Sequence, residues 1–214
     1  MIISKARSYV FVHIPKTAGT ALTLALEARA AKDDLIIGDT PKARQRRKRL
    51  ADLTPAGRLW KHATLADIDG VLSAQELDKM FCFTLVRNPW DRAVSYYHWL
   101  RAQSFDHPAV GLAQEMAFGP FLRHPETVRA FRNSPADFYM IDAAGNERCD
   151  AYIRIEHLAQ DLKPLETHLG FDLTVGRVNS SDRAEDYRSY YDDDLAEFVA
   201  ALCAEDIARF GYEF

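Results

Sequence analysis

The sequence predicts an α/β fold in which a central parallel sheet is flanked by helices. Three stretches carry that prediction. Tyr9-Val10-Phe11-Val12-His13-Ile14 is a β-branched and aromatic run, read as a buried strand. Pro15 to Gly19 breaks it, and an Ala- and Leu-rich helical stretch follows from Thr20 to about Ala31. Leu35-Ile36-Ile37 then closes a β-α-β unit, whose strands run parallel. Met80 to Val86 is apolar without alternation, as in a central strand covered on both faces.

The remaining elements fall around these. Lys42 to Arg49, with six Lys or Arg among eight residues, reads as an exposed helix or a loop. Trp60-Lys61-His62-Ala63 is a short segment before helical stretches at Thr64 to Leu72 and Ser73 to Lys79. Asn88-Pro89 starts a helix, with Asn as N-cap and Pro at the first helical position, and that helix runs to about Ala102. Residues 109–132 are helical and irregular. Tyr139-Met140-Ile141 and Tyr152-Ile153-Arg154-Ile155 read as strands around the Ala144-Gly145-Asn146 turn. His157 to Leu169 and Asp192 to Phe210 read as helices. No repeat or linker divides the chain, so residues 1–214 are expected to form a single domain.

Composition bounds the function. With 48% hydrophobic and 11% aromatic residues the chain is neither disordered nor fibrous. No apolar run approaches the roughly 20 residues of a membrane-spanning helix, so no transmembrane segment is expected. The first residues lack a secretory pattern. Three cysteines, Cys82, Cys149 and Cys203, fit a reducing compartment, and a cytoplasmic location is expected. The net charge of −4 hides an asymmetry: residues 1–107 hold 17 Lys and Arg against 11 Asp and Glu, and residues 108–214 hold 10 against 20. The basic half is where an anionic ligand belongs, unless the halves merely show differently charged solvated faces. A nucleic-acid partner is disfavoured, because the chain is acidic overall and its basic run lacks interleaved aromatics.

Two segments carry chemistry. Ile14-Pro15-Lys16-Thr17-Ala18-Gly19-Thr20 joins the first buried strand to the first helix. Such a loop directs backbone N–H groups and the positive helix end at one point, which suits a phosphate or sulfate. Lys16 adds a mobile charge, Thr17 and Thr20 add hydroxyls, and Gly19 permits close approach. It stands where a P-loop stands but is not a Walker A sequence, because Lys16 precedes the glycine. In the second segment the strand Met80 to Val86 ends in Arg87, where a nucleotide hydrolase would place an acidic metal ligand. A cation there favours a further anion, and Ser95 lies two turns into the next helix. Read alone, Arg87 is more simply a strand-end ion pair, and Asp91 and Arg92 are first-turn charges.

Together the segments resemble the sulfotransferases that use 3′-phosphoadenosine 5′-phosphosulfate (PAPS). Phe11 to Thr20 is similar to their 5′-phosphosulfate motif and Phe83 to Tyr97 to their 3′-phosphate motif, most closely in the carbohydrate branch of heparan 2-O- and chondroitin 4-O-enzymes and short bacterial members. Tyr152 to Leu158, Val178 to Ser181, Tyr190-Tyr191 and Asp206 to Tyr212 are similar to later parts of that branch. The resemblance implies a P-loop NTPase-like sulfotransferase fold that works without metal. It implies that the backbone of residues 16–20, including Ala18 and Gly19, and the side chains of Lys16, Thr17 and Thr20 bind the 5′-phosphosulfate. Arg87 and Ser95 would hold the 3′-phosphate, and the product is adenosine 3′,5′-bisphosphate.

The implied reaction is in-line sulfuryl transfer to an acceptor hydroxyl, with Lys16 stabilising the leaving phosphate and a histidine as general base. Of seven histidines, His62 occupies the interval where the branch carries its catalytic His; His13 and Glu156 come next. The acceptor implied is a glycan or glycolipid, and Lys42 to Arg49 would attract an anionic one, unless it is only a solvated loop. Other readings are a P-loop-type nucleotide kinase or NTPase, and a nucleotide-binding module without catalysis. The motifs report the donor alone, and neither the acceptor nor the oligomeric state is legible.

Overall fold

The computed structural model describes residues 1–176 and 183–214. The elements run β1 (Ile2–Ser4), β2 (Tyr9–Val12), α1 (Gly19–Ala28), β3 (Leu35–Ile36), α2 (Pro41–Arg46), α3 (Ala74–Leu77), β4 (Phe81–Val86) and α4 (Pro89–Arg101). They continue with α5 (Pro108–Glu115), α6 (Phe118–Arg123), α7 (Pro125–Arg132), β5 (Ala151–Arg154), α8 (Leu158–Asp161), α9 (Lys163–Leu169), α10 (Asp193–Leu202) and α11 (Ala204–Phe210). The chain divides into two compact units, one from Met1–Val86 with the described part of Ala136–Val178, the other from Arg87–Pro135 with the described part of Asn179–Phe214.

The first unit holds the sheet, in the order β3-β1-β2-β4-β5. β2, β4 and β5 are parallel, as expected. Around these central strands the sheet as a whole is mixed: β1 pairs antiparallel with both β2 and β3. β1 and β2 form a hairpin through Lys5 to Ser8, where Ser8 takes φ 51 and Ser8 N–H donates to Lys5 C=O at 3.4 Å. That turn contains neither Gly nor Asn, so nothing in the sequence announces it. β3 does return parallel to β2, but β1 fills the place between them. The core interleaves Tyr9, Phe11, Phe83 and Ile153 of the sheet with Leu22 and Leu26 of α1 and Leu165 of α9.

Two local expectations are revised and a third is met. Thr64 to Leu72 forms no continuous helix, only a single tight helical turn at Ala66–Ile68 and a bend closed by Val71 N–H on Ile68 C=O at 2.9 Å. Its carbonyls are drawn sideways instead, as Ala56 N–H donates to Asp69 at 2.8 Å and Gly57 N–H to Asp67 at 3.0 Å. Tyr139 to Ile141 is not a strand. Ile141 makes a single bridge to Glu147, and the Asp142 carboxylate takes N–H bonds from Ala144 and Asn146, both at 2.9 Å. The Lys42 to Arg49 run is helical in α2 and the turn after it, and half of its charge is committed. Lys42 donates to the Glu27 carbonyl, Arg46 to those of Ala31 (2.8 Å) and Asp34 (3.3 Å), and Arg49 to that of Lys32. Cations thus satisfy carbonyls at and beyond the C-terminal end of α1, which has no basic residue in its last turn.

The second unit packs α4 within an aromatic shell. Asn88 caps α4 as expected, accepting from Trp90 N–H at 3.1 Å and Asp91 N–H at 3.4 Å. Trp90 is buried as a packing residue, its indole N–H donating to Ala196 C=O at 2.9 Å. Val178 to Ser181, part of the family resemblance, lie outside the described residues.

Candidate active site

The anion loop leaves the sheet at the C-terminal end of β2, where ligands of parallel sheets collect. Thr84, buried in β4, donates to Val12 C=O at 2.8 Å and fixes that exit. Lys16 and Ala18 both have left-handed backbones, with φ 67 and 59. Such conformations cost roughly 1–3 kcal/mol each and persist only where the surroundings over-determine them. Ala18 is the N-cap of α1, and among the described residues no side chain caps that helix. Ser, Thr, Asp or Asn at this place would engage the first-turn N–H groups itself. With Ala there, Ala21 N–H turns back to Ala18 C=O at 3.0 Å, and the N–H groups before it, with the positive helix end, are offered to an anion.

Thr17 is spent inside the turn: it is buried, and its hydroxyl donates to Ile14 C=O at 2.9 Å. Thr20 lines a small cavity with His13, Thr23, Glu27, Asp39 and Thr40. Gly19 has a specific reason to be glycine. A methyl group on its α-carbon would overlap the His13 imidazole, which packs directly over it.

The structure brings His62 onto His13. His62 Nδ1 lies 2.7 Å from the His13 carbonyl. A carbonyl only accepts, so Nδ1 carries the proton, and in the neutral ring Nε2 keeps its lone pair. The two rings meet edge-on at 4.8 Å, and Trp60 contacts the His62 ring at 5.1 Å. Burial lowers the His62 pKa to about 4, with the neighbouring Lys61 cation acting in the same direction. Burial also holds His13 well below its ordinary value, with smaller contributions from His62, Lys61 and Lys16. Lys61 donates to Asp39 at 3.0 Å. Burial, the largest influence, pushes Asp39 upward, but this hydrogen bond, the Lys61 charge and a backbone hydrogen bond together outweigh it, and the carboxyl sits below its usual range.

The other histidines have structural places. His107 and His124 cap α5 and α7, accepting N–H bonds at 3.1 and 3.3 Å. His168 stacks on Phe81, His98 packs against Tyr97 and Tyr190, and His157 is exposed. Glu156 is exposed after β5, and neighbouring Arg154 pairs with Asp161 at 2.8 Å.

In the second unit Arg87 is held by Asp91, with contacts of 2.7 and 2.6 Å. Asp91 also takes Arg183 at 2.6 Å. All three side chains are largely buried, and two guanidinium groups converge on one carboxylate. Asp91 is therefore more than a first-turn charge, and Arg183 is a residue that no motif marks. Ser95 is buried in α4.

A sequence profile described as the sulfotransferase family matches residues 1–140. The chain belongs to the sulfotransferase family. The matched span contains the anion loop, His62, Arg87 and Ser95. The crystal structure of mouse sulfotransferase SULT7A1 complexed with PAP is similar to this sulfotransferase at a TM-score of 0.47 and 16% identity, over 96% of this chain and 85% of that one. No sequence among curated proteins matches. Among the described residues no helix is long and apolar enough to cross a membrane.

Buried His13 and half-buried His62 are expected to make this sulfotransferase sensitive to acid. An unfolded histidine titrates near its ordinary value of 6.5, whereas His62 binds its proton only near pH 4 in the folded state. Between those values the unfolded chain holds more protons, so stability falls as pH drops from about 6.5 towards 4. Urea melts at pH 7.5, 6 and 5 are expected to show this slope, and a shallower slope in His62→Gln. An unchanged slope would remove His62 as its source.

Proposed function

We propose that the protein transfers the sulfuryl group of PAPS to a hydroxyl of a carbohydrate or glycoconjugate. The observation that carries the proposal is the anion loop: an uncapped helix start behind two left-handed residues, in a chain of the sulfotransferase family. The backbone of residues 16–20, with Lys16 and Thr20, would bind the 5′-phosphosulfate, and Thr17 would keep the turn closed. Arg87 and Ser95 would bind the 3′-phosphate, the group that distinguishes PAPS from ATP, with Arg183 adding charge beside Arg87.

Bound there, PAPS supplies the transferable sulfuryl group; the chain supplies the rest. Lys16 places a cation to balance charge on the leaving phosphate oxygen. His62, with its proton fixed on Nδ1 by the His13 carbonyl, takes the acceptor hydroxyl proton at Nε2.

Ligand-induced thermal shift tests the donor. At about a hundredfold excess over Kd, adenosine 3′,5′-bisphosphate without metal is expected to raise the melting temperature by roughly 5–10 °C. ATP with Mg²⁺ should do less, and Arg87→Ala should erase the difference. A larger shift with ATP and Mg²⁺ would favour a nucleotide kinase or NTPase. Bisphosphate binding without transfer to any acceptor would favour a non-catalytic module.

A further inference from the structure

Trp60 is 42% exposed, although a tryptophan side chain gains more than most from burial. Its ring meets the His62 imidazole edge-on, at 83° between planes. The exposed Arg58 guanidinium lies 5.5 Å from the same ring. The segment is tied down while Trp60 stays partly exposed, with the Arg58 guanidinium over its ring. Ala56 and Gly57 N–H groups bond to Asp69 and Asp67, and Ala63 N–H closes onto Trp60 C=O at 3.0 Å. Gly57 sits so tightly on Asp67 that any side chain there would overlap the carboxylate.

We propose that Trp60 and Arg58 form the acceptor platform, on which a pyranose ring of the acceptor lies with one hydroxyl turned to His62. This rests on the sulfotransferase reading of the site. A pyranose presents a face of C–H groups to an aromatic surface and a rim of hydroxyls around it. The rim matches what stands nearby: guanidinium donors on Arg58, and Asp39, which pairs with Lys61 and lines the cavity beside His13. A phenol would also stack, but its single hydroxyl would be engaged by His62 and leave these groups unmatched.

Calorimetric titration of the full chain, with and without adenosine 3′,5′-bisphosphate, tests the platform. The probes are chitotriose, maltotriose, a heparin-derived tetrasaccharide and 4-nitrophenol. At least one saccharide is expected to bind, about tenfold more weakly to Trp60→Ala and within about threefold of wild type to Trp60→Phe, which keeps an aromatic face. Arg58→Ala should also weaken it, by about three- to tenfold. Binding of no saccharide, equal binding by Trp60→Ala, or binding of 4-nitrophenol alone would overturn the platform. Bisphosphate binding is read in the same titrations. If it persists while saccharides fail, the platform alone is wrong; if it fails too, the donor assignment falls.

Discussion

Replacing His62 by Gln is expected to lower sulfuryl transfer from PAPS to a saccharide acceptor by roughly 10²–10⁴-fold, the usual worth of a positioned general base. The substitution is chosen to separate chemistry from packing. A Gln amide can still donate to the His13 carbonyl, which His62 Nδ1 now engages at 2.7 Å, but it offers no basic nitrogen. Bisphosphate affinity should stay within about threefold of wild type. Single-turnover transfer and bisphosphate titration on the same preparation check both halves, and near-normal turnover would remove His62 as the base. The pH profile adds a second reading. Burial holds the imidazole near 4 in the free protein. An anionic donor acts in the opposite direction, favouring the charged ring. The histidine resonance should therefore titrate at higher pH in the bisphosphate complex than in the free protein, closer to the value that suits proton transfer near neutrality.

Gly19→Ala is expected to have the second large effect, for a reason that can be isolated. Gly19 has no left-handed backbone, and in a helix Ala is favoured over Gly by about 1 kcal/mol. Propensity alone would make the substitution stabilising. The added methyl, however, would overlap the His13 imidazole. Either the ring or the loop must move, at a cost of about 1–3 kcal/mol in stability. Ring movement also disturbs the His62 contact at 4.8 Å, and loop movement disturbs the first turn of α1. Bisphosphate affinity should fall by about tenfold or more. The double variant His13→Ala with Gly19→Ala should recover much of the lost stability, because the methyl then has room. Additive losses would show that Gly19 is required by something other than His13.

The anion loop and the Asn88 cap were legible because each is local: strand, breaker and helix start lie within a few residues. The same locality limited the sheet. β1 is three residues long and joined to β2 by a turn without glycine, so nothing local announces the antiparallel pairing it adds to the parallel centre. The basic run illustrates a different limit. Its charge suggested a ligand, but Lys42, Arg46 and Arg49 turn towards backbone carbonyls, and only the fold supplies those acceptors.

By itself the sequence determined the α/β class, the strand-loop-helix that presents Lys16 to Thr20, and the Arg87-Asn88-Pro89 helix start. Periodicity, cap chemistry and motif spacing are properties of neighbouring residues, and they survive any arrangement of the rest. The tertiary structure alone decided that His62 lies on His13, 49 residues away, that Gly19 is glycine because of a ring, and that Arg183 joins Arg87 at Asp91. These are contacts between residues distant in sequence. They are fixed by how the elements pack, which no local pattern encodes.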